Sequence, residues 1–345
     1  MTKVKKGLAL VIGNADYKYQ PKVLSCKKDG LDMKNMLEKL NFDVIYGVDS
    51  TRADMYEIIE EFIKNAELYS VILVYYAGHG VQIDGENYLV PIDCRYNPSK
   101  AIFIATSLVG INAIIDYMNG HPEKINIMIL DACRSNPGFS RDIVGSGLAE
   151  VRAGSGTIIA FATSPNKSAG GAADEKGNGF YTQCLLQHIA SPNIKIEDMF
   201  KAVRNDVVAL TSNEQIPWEN TSLNSDFYFN TMTQDEINES IYQRIRNNYC
   251  AEELLNLSKL YGYSISDVMR IYQRQKSEKP GGIYIKDTEA FEQYILEQIL
   301  QLGFRLENYR WIYKDMPVIM GEFYHNYQNL SLIHISEPTR RVVIS

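Results

Sequence analysis

The stretch Ile125-Asn126-Ile127-Met128-Ile129-Leu130-Asp131-Ala132-Cys133-Arg134 reads as a buried strand that runs straight into chemistry. Its first six residues are nearly all apolar and rich in isoleucine, the pattern of a strand covered on both faces. Such strands belong to parallel sheets layered by helices. Working outward, residues 71–76 (VILVYY), 8–13 (LALVIG) and 157–162 (TIIAFA) repeat the pattern, and 42–46 (FDVIY) is a further strand. Between them, 25–40, 51–65, 107–118, 181–189 and 196–210 carry apolar residues at helical spacing. Leu24, Leu31, Met36, Leu37 and Leu40 mark one face of the first, and Met55, Ile58, Ile59 and Phe62 one face of the second. Residues 226–229 (DFYF) read as a last strand. The alternation predicts an α/β fold, three layers around a mostly parallel sheet, over residues 1–231.

In such sheets, sites lie beyond the carboxyl ends of the strands. Two ends stand out. The run 71–76 enters Ala77-Gly78-His79-Gly80, and the run 125–130 enters Asp131-Ala132-Cys133. Glycines on both sides of a histidine let backbone and substrate approach closely. A free thiol with a pKa near ~8.5 is mostly protonated at neutral pH, so a cysteine nucleophile needs a neighbouring base, which later protonates the leaving amine. Cys133 is therefore the candidate nucleophile and His79 its base. The backbone amides of Gly80 and Cys133 are the candidate donors to an oxyanion. Taken singly, each residue has an ordinary reading: a cysteine at a strand end is a small buried hydrophobe, and a histidine between glycines is a turn residue. Their joint placement on two strand ends carries the inference. His121 precedes a proline, His188 lies in a helical pattern, and Cys26, Cys94, Cys184 and Cys250 read as structural.

Composition narrows the class. The chain has 345 residues, a formal net charge of −7 and 45% hydrophobic content, which fits about two soluble domains and leaves no basic footprint for nucleic acid. Five cysteines without CxxC spacing argue against a disulfide framework and a zinc site, and for a reducing, cytoplasmic compartment. No run approaches the ~18 apolar residues a membrane span requires. Residues 7–13 carry neither the P-loop nor the GxGxxG spacing of nucleotide sites.

Taken in order, 8–14 (LALVIGN), 26–29 (CKKD), 75–80 (YYAGHG), 131–134 (DACR), 157–164 (TIIAFATS), 179–182 (GFYT) and 226–229 resemble the caspase-like cysteine peptidases, peptidase C14, and among them the metacaspase-like bacterial branch. Cys133 follows His79 by 54 residues, close to the ~50 of caspases. The resemblance implies a Cys-His dyad that hydrolyses proteins or peptides through an acyl-enzyme. Where caspases carry Gln two residues before the nucleophile, this chain has Asp131, and Asp29 matches the other acidic pocket position of metacaspases. Two carboxylates suit a guanidinium or ammonium group, so the expected cleavage is after Arg or Lys. Asp29 alone also reads as a helix-N-terminal acid, and Asp131 alone as a polar strand-end cap. Ala77 stands where some metacaspases have a serine. Calcium, which many metacaspases need, finds two aspartates, Asp84 and Asp93, in the segment after the histidine, short of the usual six to eight oxygen ligands; no cofactor or metal is expected. The Gly/Ser-rich segment 138–156 holds Arg141 and Arg152, which would suit self-cleavage, though a plain flexible loop accounts for it equally. Residues 167–178 form a second loop expected to flank the cleft, and Trp218 is either a cleft wall or a core plug.

Beyond residue 232 the chain turns Tyr-rich and mostly helical, with candidate helices at 234–247, 251–261, 266–275 and 288–302 and a break at Lys279-Pro280-Gly281-Gly282. Residues 252–275 have the outline of a helix-turn-helix. In an acidic protein, recruitment of a protein partner through 232–329 is the expected role, not DNA binding. Residues 330–340 (LSLIHISEPTR) are what a transposase-type sequencing adapter gives when translated, so 330–345 is set apart from the fold.

Overall fold

The computed structural model describes residues 6–83, 86–95, 107–133, 153–164 and 177–278, and the backbone of 304–307, 310–313 and 316–317. Two compact units divide at Asn230 and Thr231. In the first, β1 (Gly7–Gly13), α1 (Cys26–Lys39), β2 (Phe42–Val48), α2 (Arg52–Ala66) and β3 (Val71–Ile83) follow one another. After them come β4 (Glu86–Leu89), β5 (Val109–Gly110), α3 (Asn112–Gly120), β6 (Ile125–Cys133), β7 (Thr157–Phe161), α4 (Phe180–His188), α5 (Ile196–Leu210) and β8 (Trp218–Thr221). The sheet runs β2-β1-β3-β6-β7-β8, parallel except for β8, with β4 and β5 adding an antiparallel arm at the far end of β3.

Alternation along each central strand builds two cores. Ala9, Val11, Leu73, Tyr75, Ile127 and Ile129 pack with Met33 and Leu37 of α1 and with α4 and α5. Leu10, Ile12, Val74, Tyr76, Met128 and Leu130 pack with Met55, Ile59 and Phe62 of α2 and with α3. Both faces of the strands are dry, which is why the sequence shows continuous apolar runs there. Each helix is stopped or started locally: Asn41, in the left-handed region at φ 70°, follows α1, and Thr51 with Asp54 forms a capping box on α2.

Three expectations are corrected. The strand expected at 71–76 continues to Ile83, because β6 pairs it through His79 and β4 pairs it beyond. Leu108 and Val109, expected in a helix, are buried, and β5 pairs β4 before α3 begins at Asn112. The last strand is Trp218–Thr221 and not 226–229; Phe227 and Phe229 are buried as loop residues that plug the α1 face.

The second unit contains α6 (Gln234–Asn247), α7 (Ala251–Tyr261) and α8 (Ile265–Glu278), with Gly262 in the left-handed region ending α7. It also holds an antiparallel sheet of β9 (Phe304–Glu307), β10 (Arg310–Tyr313) and β11 (Met316–Pro317), in a region expected to be mostly helical and for which no strands were expected. The alternating FRLE and RWIY runs around a two-residue connection explain it. The candidate helix 288–302 and residues 330–345 lie outside the described residues. Among the described residues, no helix is long and apolar enough to cross a membrane.

Candidate functional site

The carboxyl ends of β1, β3 and β6 meet the start of α1 and the start of α4. Close backbone packing sets the first junction: a Cβ on Gly13 would sit 2.5 Å from the Cys26 carbonyl oxygen, and one on Gly30 3.1 Å from Gly13 Cα. The first turn of α1 therefore rests directly on β1, and Asp29 is carried to the sheet edge. In the parallel ladder of β3 and β6, Ala77 is the register partner of Asp131 and His79 of Cys133. Neighbouring strands lie about 4.8 Å apart, so these pairs of positions are adjacent across the ladder.

His79 is buried, and its Nε2 lies 2.8 Å from the Pro21 carbonyl oxygen. A carbonyl can only accept, so Nε2 carries the proton and Nδ1 the lone pair. Among the described residues Nδ1 has no hydrogen-bond partner. Burial pushes the imidazole pKa below its ordinary value, with the Pro21 bond opposing that shift. The ring is thus neutral at neutral pH, with Nδ1 as its base nitrogen.

The structure brings the two acids together. Asp29 Oδ1 accepts from the Gly179 amide at 2.9 Å and from Asn178 Nδ2 at 3.0 Å. Asp131 Oδ2 accepts from Thr182 Oγ1 at 2.6 Å, and Tyr75 Oη lies 2.5 Å from the same hydroxyl. Because the Thr182 proton goes to the carboxylate, the Tyr75 hydroxyl donates to Thr182. One oxygen of each acid lies within 3.4 Å of the point where a Cβ on Gly179 would sit. Burial raises both carboxyl pKa values, and the repulsion from Asp29 raises Asp131 further.

Beside this pair, a cleft of about 560 Å³ opens between the 14–24 loop and α1, with Lys22, Lys28, Leu31 and Asp32 in its lining. Asn178, which donates to Asp29, also donates to Asp32 in the cleft lining, at 3.1 Å.

Gly78 shows how tightly the site is built. Its φ is +156°, and a Cβ there would lie 2.6 Å from the hydroxyls of both Tyr17 and Tyr76. Gly78→Ala is expected to destabilise the domain by about 1–3 kcal/mol through overpacking, visible as a lowered Tm in thermal unfolding. A Tm equal to wild type would mean the two tyrosines yield freely.

Other expected residues fall elsewhere. Gly80 is the register partner of Leu89 in the β3–β4 pair, one residue past His79. Asp93 accepts from the Arg52 amide at 2.9 Å, at the start of α2. Asp84, Arg141, Arg152 and most of the 167–178 loop lie outside the described residues. Trp218 is half-buried and stacks on Phe161 at 4.9 Å, against the core cluster that includes α2. Among the described residues, no group of three or more His, Cys, Asp or Glu could hold a metal ion. The sequence reading passed over Pro21, Tyr17, Asn178 and Thr182. Pro21 acts through a backbone atom, which leaves no side-chain signature, and Thr182 was visible only as part of GFYT.

Comparison with known proteins gives the family and the fold. A caspase-domain family profile, peptidase C14, matches residues 6–228. The mucosa-associated lymphoid tissue lymphoma translocation protein 1 of Homo sapiens is 30% identical over 139 residues, which are 40% of this chain and 16% of that protein; its Mus musculus homologue matches to the same extent. The chain thus spans about a sixth of the length of these relatives. Among solved structures, caspase-1 from Spodoptera frugiperda superposes with a TM-score of 0.51 at 14% identity, over 67% of this chain and 94% of that one. The Drosophila initiator caspase Dronc gives a TM-score of 0.46 at 14% identity, over 66% and 85%. The likeness to the Spodoptera frugiperda structure gives the fold, and the profile gives the family: the chain belongs to the caspase-domain family, peptidase C14, a family of cysteine-dependent hydrolases.

Proposed function

We propose that the first unit is a cysteine endopeptidase that cleaves proteins or peptides after Arg or Lys, with Cys133 as nucleophile and His79 as general base. The observation that carries the reading is the Nδ1 of a neutral His79, without a partner among the described residues, at the register position paired with Cys133. Nδ1 takes the thiol proton as sulfur attacks the P1 carbonyl carbon. The oxygen of the tetrahedral intermediate is met by the backbone amides of Gly80 and Cys133. His79 then gives the proton to the departing amine, and the acyl-enzyme remains. Water, deprotonated by the same nitrogen, releases the acid and restores the thiol. Throughout, the Pro21 carbonyl holds the Nε2 proton and steadies the imidazolium that forms in each half-reaction.

The acid pair supports the choice of side chain. A P1 guanidinium entering between Asp29 and Asp131 replaces carboxylate repulsion by charge-assisted hydrogen bonds; a P1 aspartate would add a third negative charge. That chemistry is the metacaspase-like pattern within the family, and no metal enters any step of this reading. Fluorogenic peptides ending in Arg, Lys or Asp test it. Release from Arg and Lys peptides is expected, with Arg the better because its fork meets two carboxylates. Release from Asp alone would overturn the specificity, and no release from any of the three would favour a silent interaction module.

A further inference from the structure

We propose that Tyr17, acting with Tyr76, is a positioning residue of the general base, and that the 14–24 loop is a clamp on His79. The inference rests on the reading of His79 as that base. Its starting point is a gap in the sheet. β1 pairs β3 as far as Ala77, and β4 pairs β3 from Gly80. His79 therefore stands where one partner strand has ended and the other has not begun. Its carbonyl is reached by the Val90 amide at 3.0 Å. Its N–H has no strand to meet.

The Tyr17 hydroxyl fills that place, accepting from His79 N–H at 2.8 Å. Tyr76 donates its hydroxyl proton to the His79 carbonyl at 2.7 Å. With that proton committed, the Tyr17 hydroxyl is the donor in its 3.4 Å contact with Tyr76. The result is a closed circuit from His79 N–H through two phenols back to the His79 carbonyl. Both phenols are buried, where such bonds are strong and hard to replace by water. The Tyr17 ring also lies 4.5 Å from the imidazole, tilted by 42°. Four residues further on, Pro21 holds Nε2. One loop thus grips the backbone, the face and the far nitrogen of a single histidine.

That grip answers a need. Gly78 and Gly80 leave the backbone around His79 without side chains to stiffen it, so rigidity has to come from outside. The loop is itself anchored. Its Ala15 and Asp16 amides both donate to Asp49 Oδ1 at 2.9 Å, and the Lys18 amide donates to the Ile92 carbonyl at 2.9 Å.

Two readouts test the clamp on the full chain. The first is the rate of Cys133 alkylation by iodoacetamide against pH, mapped by mass spectrometry; the second is kcat and KM on an Arg peptide. Tyr17→Phe keeps the ring and removes the acceptor. It is expected to lower kcat about 10- to 100-fold with KM within about twofold, and to slow alkylation in the same proportion at an unchanged folded fraction. Tyr76→Phe should act in the same direction but less, since the His79 carbonyl keeps Val90. If Tyr17→Phe folds poorly, Tyr76→Phe decides. Wild-type rates in whichever variant folds, or a loss no larger than the unfolded fraction, overturn the proposal, as does alkylation that His79→Gln leaves unchanged. A wild-type protein that cleaves no peptide while Tyr17→Phe still slows alkylation would defeat the peptidase reading and leave the clamp standing.

Discussion

Cys133→Ala is expected to lower Arg-peptide hydrolysis by about 10⁴-fold or more, and His79→Gln to lower it by a similar factor, with the double variant no worse than either single one. The reason is that the two groups perform one step. Without the thiol there is no acyl-enzyme; without Nδ1 the thiol is a poor nucleophile and the amine a poor leaving group. Groups that act as a unit show this non-additivity, and what survives comes from binding and from the oxyanion donors. The thiols themselves supply an independent control. Cys26, Cys94 and Cys184 are buried and Cys250 is half-buried, and burial raises the Cys94 pKa to about 11. An alkylating probe at neutral pH should therefore label Cys133 first, and lose that preference in His79→Gln. Preferential labelling of Cys250 would sink the dyad even if some hydrolysis were seen.

What the sequence disclosed follows from which physical signals leave a trace in residue type. Strands buried on both faces must be apolar throughout, so β1, β3, β6 and β7 were legible to within a residue or two at their starts. β8 was not, because Trp218–Thr221 (WENT) is an edge strand with partly exposed, polar side chains. Phe227 and Phe229 mimic a strand because burial alone, without a ladder, also selects alternating aromatics. The reach of β3 through Ala77-Gly78-His79-Gly80 was hidden for a related reason: glycines signal a turn, yet here they make room for Tyr17 and Tyr76. At the candidate site, His79 and Cys133 stood out because both follow apolar strand runs, whereas Asp29 and Asp131 stood out through the family resemblance, since each alone also reads as a helix-N-terminal acid or a strand-end cap. Pro21 offers only a carbonyl, and Tyr17 sits in a loop without periodicity. The register that pairs His79 with Cys133 and Ala77 with Asp131 depends on how two strands align at a sequence separation of 54, which no local pattern encodes.

Asp131→Asn is expected to reduce kcat/KM for Arg peptides by about 10²- to 10³-fold, the loss when one partner of a buried charge pair is truncated, and to make the unliganded protein more stable at neutral pH. Both effects come from one arrangement. In the free enzyme, burial holds the Asp29 and Asp131 carboxyls above their ordinary range, with repulsion from Asp29 adding to it at Asp131 and from Asp32 at Asp29. Between that range, near pH ~3.9 for an unfolded Asp, and the raised native values, the folded state binds more protons than the unfolded one. Stability therefore falls as pH rises through this window. An asparagine does not titrate, and its amide can donate to Asp29, so Asp131→Asn should flatten the fall and raise Tm at neutral pH by about 2–4 °C for each kcal/mol recovered. Activity moves the opposite way. A guanidinium needs the pair ionised, so kcat/KM on an Arg peptide should rise as pH climbs through the same window. Its acid limb should lie above that of Cys133 alkylation, which His79 sets from below its ordinary value. Measuring Tm and kcat/KM of wild type and Asp131→Asn across pH checks both signs together. A variant less stable than wild type at neutral pH would mean that a bound cation already neutralises the pair. An Arg-to-neutral P1 preference that survives the substitution would mean that Asp131 does not face the substrate at all.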